Sequence, residues 1–355
     1  MLKNDYKAIG VMSGTSLDGI DLVLVSFFKK EKWEFKIHSF DTKVYPENWV
    51  EILKELTTYD KEKLEEVDKL YSVFLAKTIQ KFIEENDCEG IDFIASHGHT
   101  ALHQPDEGIT HQIGNSPILA EISQQKVICD FRTQDVFLGG QGAPLVPIGD
   151  ELLFSEYDYC LNLGGFSNVS YRESNKRIAY DICPVNIVLN HYVSKLGFTY
   201  DNQGDISKTG KVSMLLLDKL NNLEFYKISH PKSLGFEWVQ QHIIPVIDDI
   251  KIEIKDILRT YIEHIAIQIS KVLNKQSSKT LITGGGAYHS FLIERIKALS
   301  NSEIIIPSKD IIEYKEALIF AFLGVLRDRN EVNCLSSVTG AKQDHSSGNI
   351  FYHKK

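Results

Sequence analysis

Apolar residues recur along this chain at two spacings, one typical of β-strands and the other of α-helices. Short runs rich in β-branched and aromatic residues, such as 8–11 and 159–163, are predicted strands. Longer stretches carry apolar residues every three or four positions and predict helices over 61–85, 185–195, 212–221, 255–275, 290–299 and 315–327. Strands and helices alternate along the chain, which indicates an α/β fold.

Length, composition and charge narrow the class of protein. The 355 residues exceed one typical core and predict two domains, and 43% hydrophobic with 25% charged residues is typical of a globular protein. A formal net charge of -9 argues against a nucleic-acid partner, because such proteins usually carry a basic face. No stretch has the pattern of a signal peptide, and no apolar run reaches the ~18 residues of a membrane span. We therefore expect a cytoplasmic protein that binds neither nucleic acid nor membrane.

Cysteine and histidine residues do not predict a metal centre. The five cysteines are an odd number at wide spacings without a CxxC pair, so we expect buried, reduced thiols. A polar stretch carries His97, His99, His103 and His111. No cysteine or acid cluster accompanies them, and such histidines are more often solvated or hydrogen-bonded than bound to zinc.

Two similar turns of small residues follow predicted strands about 150 residues apart. The first turn contains Gly14, Thr15, Ser16, Asp18 and Gly19. Glycine lets the backbone approach a ligand closely, the hydroxyls can donate to phosphate oxygens, and a carboxylate at Asp18 suits Mg²⁺. The second turn contains Gly164, Gly165, Ser167 and Asn168. Each alone is also compatible with an ordinary β-hairpin, but the pair predicts a nucleotide cleft between two related lobes.

A third glycine cluster, Gly284, Gly285 and Gly286, lies between a short β-branched strand and a helical pattern. Such a loop brings bare backbone and a helix N-terminus close to a nucleotide. No Gly-Lys-Ser/Thr follows it, so it is not a P-loop.

Taken together, these and further segments resemble the anhydro-N-acetylmuramic acid kinase family of the sugar kinase, Hsp70 and actin superfamily. The matching segments are GVMSGTSLDGIDLVL from Gly10, SHGHTALHQP from Ser96, QIGNSPILAE from Gln112, DFRTQDVFLGGQGAPLVP from Asp130, LNLGGFSNVSY from Leu161, LITGGGAYHSFL from Leu281, KEALIFAFLGVL from Lys315 and SVTGAK from Ser337. The resemblance implies two actin-like α/β domains, each with a mixed five-stranded sheet flanked by helices, and an interdomain cleft. We predict an N-terminal domain over 1–132, rejoined by the tail at about 335–355, and a C-terminal domain over 133–334.

The resemblance also implies an activity. It indicates an ATP- and Mg²⁺-dependent kinase that opens 1,6-anhydro-N-acetylmuramic acid hydrolytically and phosphorylates O6. The reaction belongs to cell-wall amino-sugar recycling. Related proteins also suggest a homodimer. Two alternatives stay open. One is a kinase for a different amino sugar or muramic derivative on the same scaffold, and the other is a non-catalytic ATP-binding module of the actin or Hsp70 kind.

Catalytic and metal-binding roles follow from the resemblance, residue by residue. The residues that would bind ATP are Gly14, Thr15, Ser16, Asp18, Gly19, Gly164, Gly165, Asn168, Gly284, Gly285 and Gly286. Asp181 matches the catalytic aspartate, at the end of a predicted strand; its alternative interpretation is an N-cap of the following helix. Glu316 matches a glutamate facing the cleft, which implies a catalytic role and a place beside Asp18 at Mg²⁺; its alternative interpretation is a charge favoured at a helix N-terminus.

Sugar binding is assigned to segments that match the family's substrate-facing loops, with Thr100, Gln112, Arg132, Asp135 and Gln141 as candidates. Arg132 would pair bidentately with the lactyl carboxylate of a muramic acid, or else form a structural ion pair with Asp135. The family commonly has Asp-Thr-Gly-Pro-Gly-Asn at the catalytic aspartate, whereas this chain reads Asp-Ile-Cys-Pro-Val-Asn over 181–186. That bulkier loop favours the alternative acceptor. His99 and His289 replace a glutamine and an asparagine that are usual in the family.

Overall fold

A computed structural model describes residues 3–14 and 17–353 and divides the chain into two compact units. Unit 1 comprises Met1–Leu153 and Tyr314–Lys355, and unit 2 comprises Phe154–Glu313. No helix among the described residues is long and apolar enough to cross a membrane.

Each unit is built on one mixed β-sheet. The strands are β1 (Asp5–Ser13), β2 (Ile20–Lys29), β3 (Trp33–Lys43), β4 (Phe93–Gln104), β5 (Ile109–Ile113), β6 (Val127–Cys129), β7 (Tyr159–Leu163), β8 (Phe166–Glu173), β9 (Lys176–Pro184), β10 (Lys279–Thr283), β11 (Glu303–Ile305) and β12 (Asn349–Phe351). Unit 1 has the order β12-β6-β4-β1-β2-β3, with β5 paired to β4, and unit 2 has the order β11-β10-β7-β8-β9. The described sheet of unit 1 thus has seven strands rather than the expected five, because the β4–β5 hairpin and the C-terminal β12 add to it. The tail rejoins the first unit, as expected.

Helices flank both sheets, which confirms the predicted fold class. They are α1 (Glu47–Glu55), α2 (Lys61–Glu85), α3 (Ile118–Ser123), α4 (Thr133–Phe137), α5 (Pro147–Leu153), α6 (Asn186–Ser194), α7 (Met214–Asn221), α8 (Phe236–Trp238), α9 (Ile244–Asp248), α10 (Ile254–Val272), α11 (Ser290–Leu299), α12 (Lys309–Asp328) and α13 (Ser336–Thr339). The helix predicted over 61–85 is α2, whose first turn is capped by the Asp60 carboxylate accepting from the N–H of Lys63. The helix predicted from 315 begins six residues earlier, because Ile311 and Ile312 extend its buried face.

The contact-based units differ from the predicted domains. The structure keeps α4 and α5 with unit 1, whereas the sequence placed both in the second domain, after a boundary near Thr133. At the other end, the division falls within α12, after Glu313, and not near residue 335. The glycine- and proline-rich passage over 139–147 is therefore part of unit 1, although its composition resembles that of a linker.

Alternation along β1 places two helices on opposite faces of the unit 1 sheet. Ile9 and Val11 share one core with buried residues of α2. On the other face, a Cβ added to Gly10 would overlap the carbonyl oxygen of Ala317 in α12. The missing side chain lets α12 lie directly against β1 at Ala317, the residue that follows Glu316.

Replacing Gly10 with alanine is expected to lower the free energy of unfolding by about 3 kcal/mol, because backbone rather than a flexible side chain must move. The midpoint of thermal unfolding measures this effect. Gly285→Ala is the control, since a Cβ there would meet only Asn186 Nδ2 at 3.8 Å. Equal melting temperatures for the two variants would contradict the packing described.

Candidate active site

The first predicted phosphate turn is the β1–β2 hairpin connection of unit 1. Gly14 is half-buried, Asp18 is exposed, and Gly19 is buried so closely that a Cβ would lie 2.6 Å from Thr42 Cγ2. The predicted phosphate ligands Thr15 and Ser16 lie outside the described residues. The absence of a side chain at Gly19 therefore lets this end of the connection pack against Thr42, and the Asp18 carboxylate lies at the surface.

A buried hydrogen-bond network anchors the strand that leads into this turn. The Ser13 hydroxyl contacts the hydroxyl of Tyr45 and lies 2.8 Å from His99 Nδ1, and Tyr71 OH donates to Ser13 Oγ at 3.0 Å. Burial lowers the pKa of His99 to about 4, so its imidazole is neutral at physiological pH. The histidine that replaces the family's glutamine thus serves as an uncharged hydrogen-bonding partner.

Three charged side chains of unit 1 act on one another electrostatically. Burial raises the pKa of Glu316, the positive charge of Arg132 lowers it, and the negative charge of Asp21 raises it further. Solvent still reaches Glu316, which lies in the third turn of α12. Its interpretation as a helix N-terminal charge is therefore wrong, because the helix begins at Lys309. Asp21, which sequence reasoning did not select, joins Glu316 as a nearby carboxylate.

Arg132 is held by neutral groups. Its Nε donates to His97 Nε2 at 2.9 Å and its Nη1 donates to the carbonyl of Gly142 at 2.6 Å. Because His97 Nε2 accepts, the ring proton is on Nδ1, which donates to the carbonyl of Gly98 at 2.9 Å. Burial first, and the charge of Arg132 second, lower the pKa of His97. Within residues 3–14 and 17–353, Arg132 and Asp135 form no ion pair, so the structural alternative for Arg132 is wrong.

Asp135 is fully buried and accepts hydrogen bonds from its own unit. Its Oδ2 accepts from the N–H of Gly142 at 2.7 Å and its Oδ1 accepts from Thr339 Oγ1 at 2.7 Å. Gln141, by contrast, is exposed and its Nε2 donates to Asp106 Oδ1 at 3.2 Å. Asp135 therefore fixes the loop whose residue 142 accepts from Arg132.

Thr100 and Gln112 are direct neighbours across the β4–β5 pair. Gln112 is buried, and its Nε2 donates to Thr110 Oγ1 at 2.9 Å, while its Oε1 has no hydrogen-bond partner among the described residues. A buried acceptor without a donor is costly unless a ligand supplies one.

In unit 2, the second phosphate turn is a tight β7–β8 hairpin bound to the start of α6. The carbonyl of Gly165 accepts from the N–H of Val185 at 2.7 Å, and the carbonyl of Gly164 accepts from the N–H of Asn186 at 3.2 Å. The third cluster is adjacent, because a Cβ at Gly285 would meet only Asn186 Nδ2. Two glycine turns and the α6 N-terminus therefore come together within one unit.

Asp181 lies beside this assembly. Strand register pairs Asn162 with Asn168 and Asn168 with Asp181, so their side chains share one face of the sheet. Asp181 Oδ2 accepts from the N–H of Leu234 at 2.8 Å, and burial raises the pKa of the carboxyl group. β9 continues to Pro184 and the N-cap of α6 is Val185, so the N-cap interpretation of Asp181 is wrong. Asn162, between Gly164 and Gly284, was missed although it stands in the LNLGG segment.

The model of the anhydro-N-acetylmuramic acid kinase family matches residues 6–353. The chain belongs to this family. A kinase of that name from Mannheimia succiniciproducens is 34% identical, with 99% of this chain and 100% of that protein covered. The corresponding protein from Pseudomonas syringae pv. syringae is 33% identical, with 98% and 99% covered. Members of the family are ATP-dependent sugar kinases, and this chain is one of them.

The chain's departures from the family pattern around Asp181 are interior substitutions. Ile182, Cys183 and Val185 are each at most 3% exposed and pack in the core of unit 2 with Val188 of α6. The bulk of these three side chains is therefore accommodated within the hydrophobic core. His289 is also structural, because its Nδ1 accepts from the N–H of Leu292 at 3.1 Å at the start of α11.

Proposed function

We propose that this chain hydrolytically opens 1,6-anhydro-N-acetylmuramic acid and transfers the γ-phosphoryl group of ATP to O6, giving N-acetylmuramic acid 6-phosphate in cell-wall amino-sugar recycling. The observation that carries the proposal is the full-length family match together with an intact aspartate at 181. Burial of Ile182, Cys183 and Val185 in the core removes the main argument for a different acceptor. We further propose a homodimer in the cytoplasm, as the family resemblance implies.

Asp181 is the proposed base. Its carboxylate takes a proton from the water whose oxygen bonds to the anomeric carbon, and the bond from that carbon to O6 breaks. O6 then bonds to the γ-phosphorus of ATP, and ADP leaves. A carboxylate with a raised pKa is a stronger base than an ordinary aspartate, which suits this role.

The proposed sugar-binding residues are Thr100, Gln112, Arg132, Asp135 and Gln141, and their environments support different contributions. The Arg132 Nη2 has no hydrogen-bond partner among the described side chains and backbone, and it would bind the lactyl carboxylate. Gln112 Oε1 would accept from a sugar hydroxyl or amide. Asp135 is buried, so it acts as a positioning residue that holds the Gly142 loop under the guanidinium.

The proposed nucleotide residues are Gly14, Thr15, Ser16, Asp18, Gly19, Gly164, Gly165, Asn168, Gly284, Gly285 and Gly286. Gly165 and Gly285 fit this role, because both are exposed and a Cβ there would meet almost nothing of the protein. Asp18 and Glu316 would hold Mg²⁺, with Asp21 nearby. When bound, Mg²⁺ neutralises phosphate charge as it develops during transfer.

Gly285→Ala is expected to raise the KM for ATP about tenfold, because the methyl group would occupy space that a phosphate or ribose approaches. Neither the melting temperature nor the KM for the sugar should change, because the added methyl group would not clash with any other part of the protein. Steady-state kinetics with each substrate varied in turn measures both constants. An unchanged KM for ATP would argue against this loop as part of the nucleotide site.

A coupled ADP-release assay tests the proposed acceptor. With Mg-ATP, 1,6-anhydro-N-acetylmuramic acid should stimulate ADP release and N-acetylglucosamine should not. If only another amino sugar stimulated ADP release, the chain would still be a sugar kinase, but the proposed acceptor would be wrong.

A further inference from the structure

A cluster of three potential metal ligands lies in unit 1, apart from the carboxylates proposed for Mg²⁺. The Asp135 carboxylate, the Cys334 thiol and the His345 imidazole each offer one atom, and these atoms lie within 4.8 Å of one another. The three residues are 0%, 1% and 6% exposed. It is the one such group among the residues that the structure describes. This group is buried, and in this respect it differs from the exposed acidic clusters that are common in proteins without a bound metal.

The tautomer of His345 leaves a lone pair directed into this cluster. Its Nδ1 donates to the carbonyl of Gln343 at 3.1 Å, and in that tautomer of the neutral imidazole Nε2 carries the lone pair. Nε2 is buried and has no hydrogen-bond partner. Its distance to Asp135 Oδ1 is 3.6 Å, which is too long for a hydrogen bond. Two oxygen or nitrogen ligands of a tetrahedral Zn²⁺ lie about 3.4 Å apart, so this spacing is that of a ligand pair.

The other two ligands are also held in place. The Asp135 oxygens each accept one hydrogen bond, from Thr339 Oγ1 and the N–H of Gly142, which fixes the carboxylate. Cys334 and His345 face each other in an isolated antiparallel bridge, with Cys334 N–H donating to the carbonyl of His345 at 3.1 Å. The Cys334 thiol donates to the carbonyl of Phe131, with 3.9 Å between Sγ and the oxygen.

We propose that Asp135, Cys334 and His345 bind one Zn²⁺ ion. Thiolate and imidazole ligands favour Zn²⁺ over Mg²⁺, and one position of a tetrahedral ion remains for water. On binding, the Cys334 thiol releases its proton to solvent, and the two anionic ligands balance the dication. The ion ties the C-terminal segment over 334–345 to α4, directly after Arg132. The proposal does not depend on the acceptor sugar.

The metal content of the purified full-length chain, measured by inductively coupled plasma mass spectrometry after growth with zinc, tests the site. About one equivalent of zinc is expected in the wild type, and less than about one tenth of that in His345→Gln and in Cys334→Ser. His191→Gln and Cys88→Ser are the matched controls, because neither residue belongs to the cluster and both should retain zinc. Absence of stoichiometric zinc in wild type, with none taken up from added ZnCl₂, would overturn the proposal.

Two measurements on the wild type keep the test independent of variant folding. Co²⁺ added to metal-free protein should produce a thiolate-to-cobalt charge-transfer band in the near ultraviolet, and its absence would exclude Cys334 as a ligand. A chelator should lower the melting temperature by several degrees, added Zn²⁺ should restore it, and added Mg²⁺ should not. A melting temperature that changes neither with the chelator nor with added Zn²⁺ would also overturn the proposed site.

Discussion

Asp181→Asn is expected to reduce kcat about 10³-fold without lowering the melting temperature. The amide cannot accept the proton from the attacking water, and removal of a positioned base typically costs a factor of this size. The amide oxygen can still accept from the N–H of Leu234. A coupled ADP-release assay and a thermal unfolding curve at pH 7 provide the two readings.

The stability half of this prediction follows from linkage. The folded-state pKa of Asp181 is raised above the unfolded value, so its contribution to stability is present below the unfolded pKa and is lost as pH rises through the folded pKa. At pH 7 the ionised carboxylate therefore costs free energy that asparagine avoids. For the same reason, the low-pH limb of wild-type kcat should lie above the ordinary aspartate pKa of about 3.9.

Asp249→Asn is the matched control for Asp181→Asn. Asp249 is exposed and paired with Lys219, so its substitution should leave kcat unchanged. Full activity in Asp181→Asn would remove Asp181 from the chemistry. A low melting temperature in that variant would instead indicate that the carboxylate is structural.

Arg132→Lys is expected to lower kcat/KM for 1,6-anhydro-N-acetylmuramic acid roughly 10- to 100-fold, the range for losing hydrogen bonds to a charged group. Lysine keeps the charge but cannot present a planar fork to a carboxylate. The substitution also removes the contacts to His97 and Gly142, so a single comparison would not isolate the carboxylate.

A double-mutant cycle between protein and substrate isolates the contribution of the contact between Arg132 and the lactyl carboxylate. With 1,6-anhydro-N-acetylglucosamine, which lacks the lactyl group, wild type and Arg132→Lys should differ several-fold less than they do with the muramic substrate. Arg295→Lys is the control, because Arg295 forms a salt bridge with Glu263 in unit 2. This substitution should change kcat/KM by the same factor for both sugars. Equal losses on both sugars would show that Arg132 acts only by positioning the loop.

Some parts of the structure could be predicted because the signals are local. The helix over 61–85 has its cap and its apolar spacing within one segment, and the three glycine turns follow strands that periodicity identifies. The fold class needed only the order of these elements and the family motifs.

Other parts depend on contacts between distant segments. A bulge between Ser167 and Asn168 sets which residue lies beside Asp181, and no periodicity reveals it. Cys334 and His345 are brought to Asp135 by the return of the tail, across about 200 residues of sequence. The sequence predicted that Ile182 and Cys183 lie in a loop close to the substrate. In the structure β9 continues through both residues, and their side chains lie in the core.

The mass of the reaction product tests the central claim most directly. Purified chain, Mg-ATP and 1,6-anhydro-N-acetylmuramic acid are incubated in ¹⁸O-labelled water, and the sugar product is analysed by mass spectrometry at early times. The proposed function predicts a product that gains one phosphate and one molecule of labelled water, with the phosphate on O6. A phosphorylated sugar that retains the anhydro bridge, or unchanged sugar beside ADP, would contradict it.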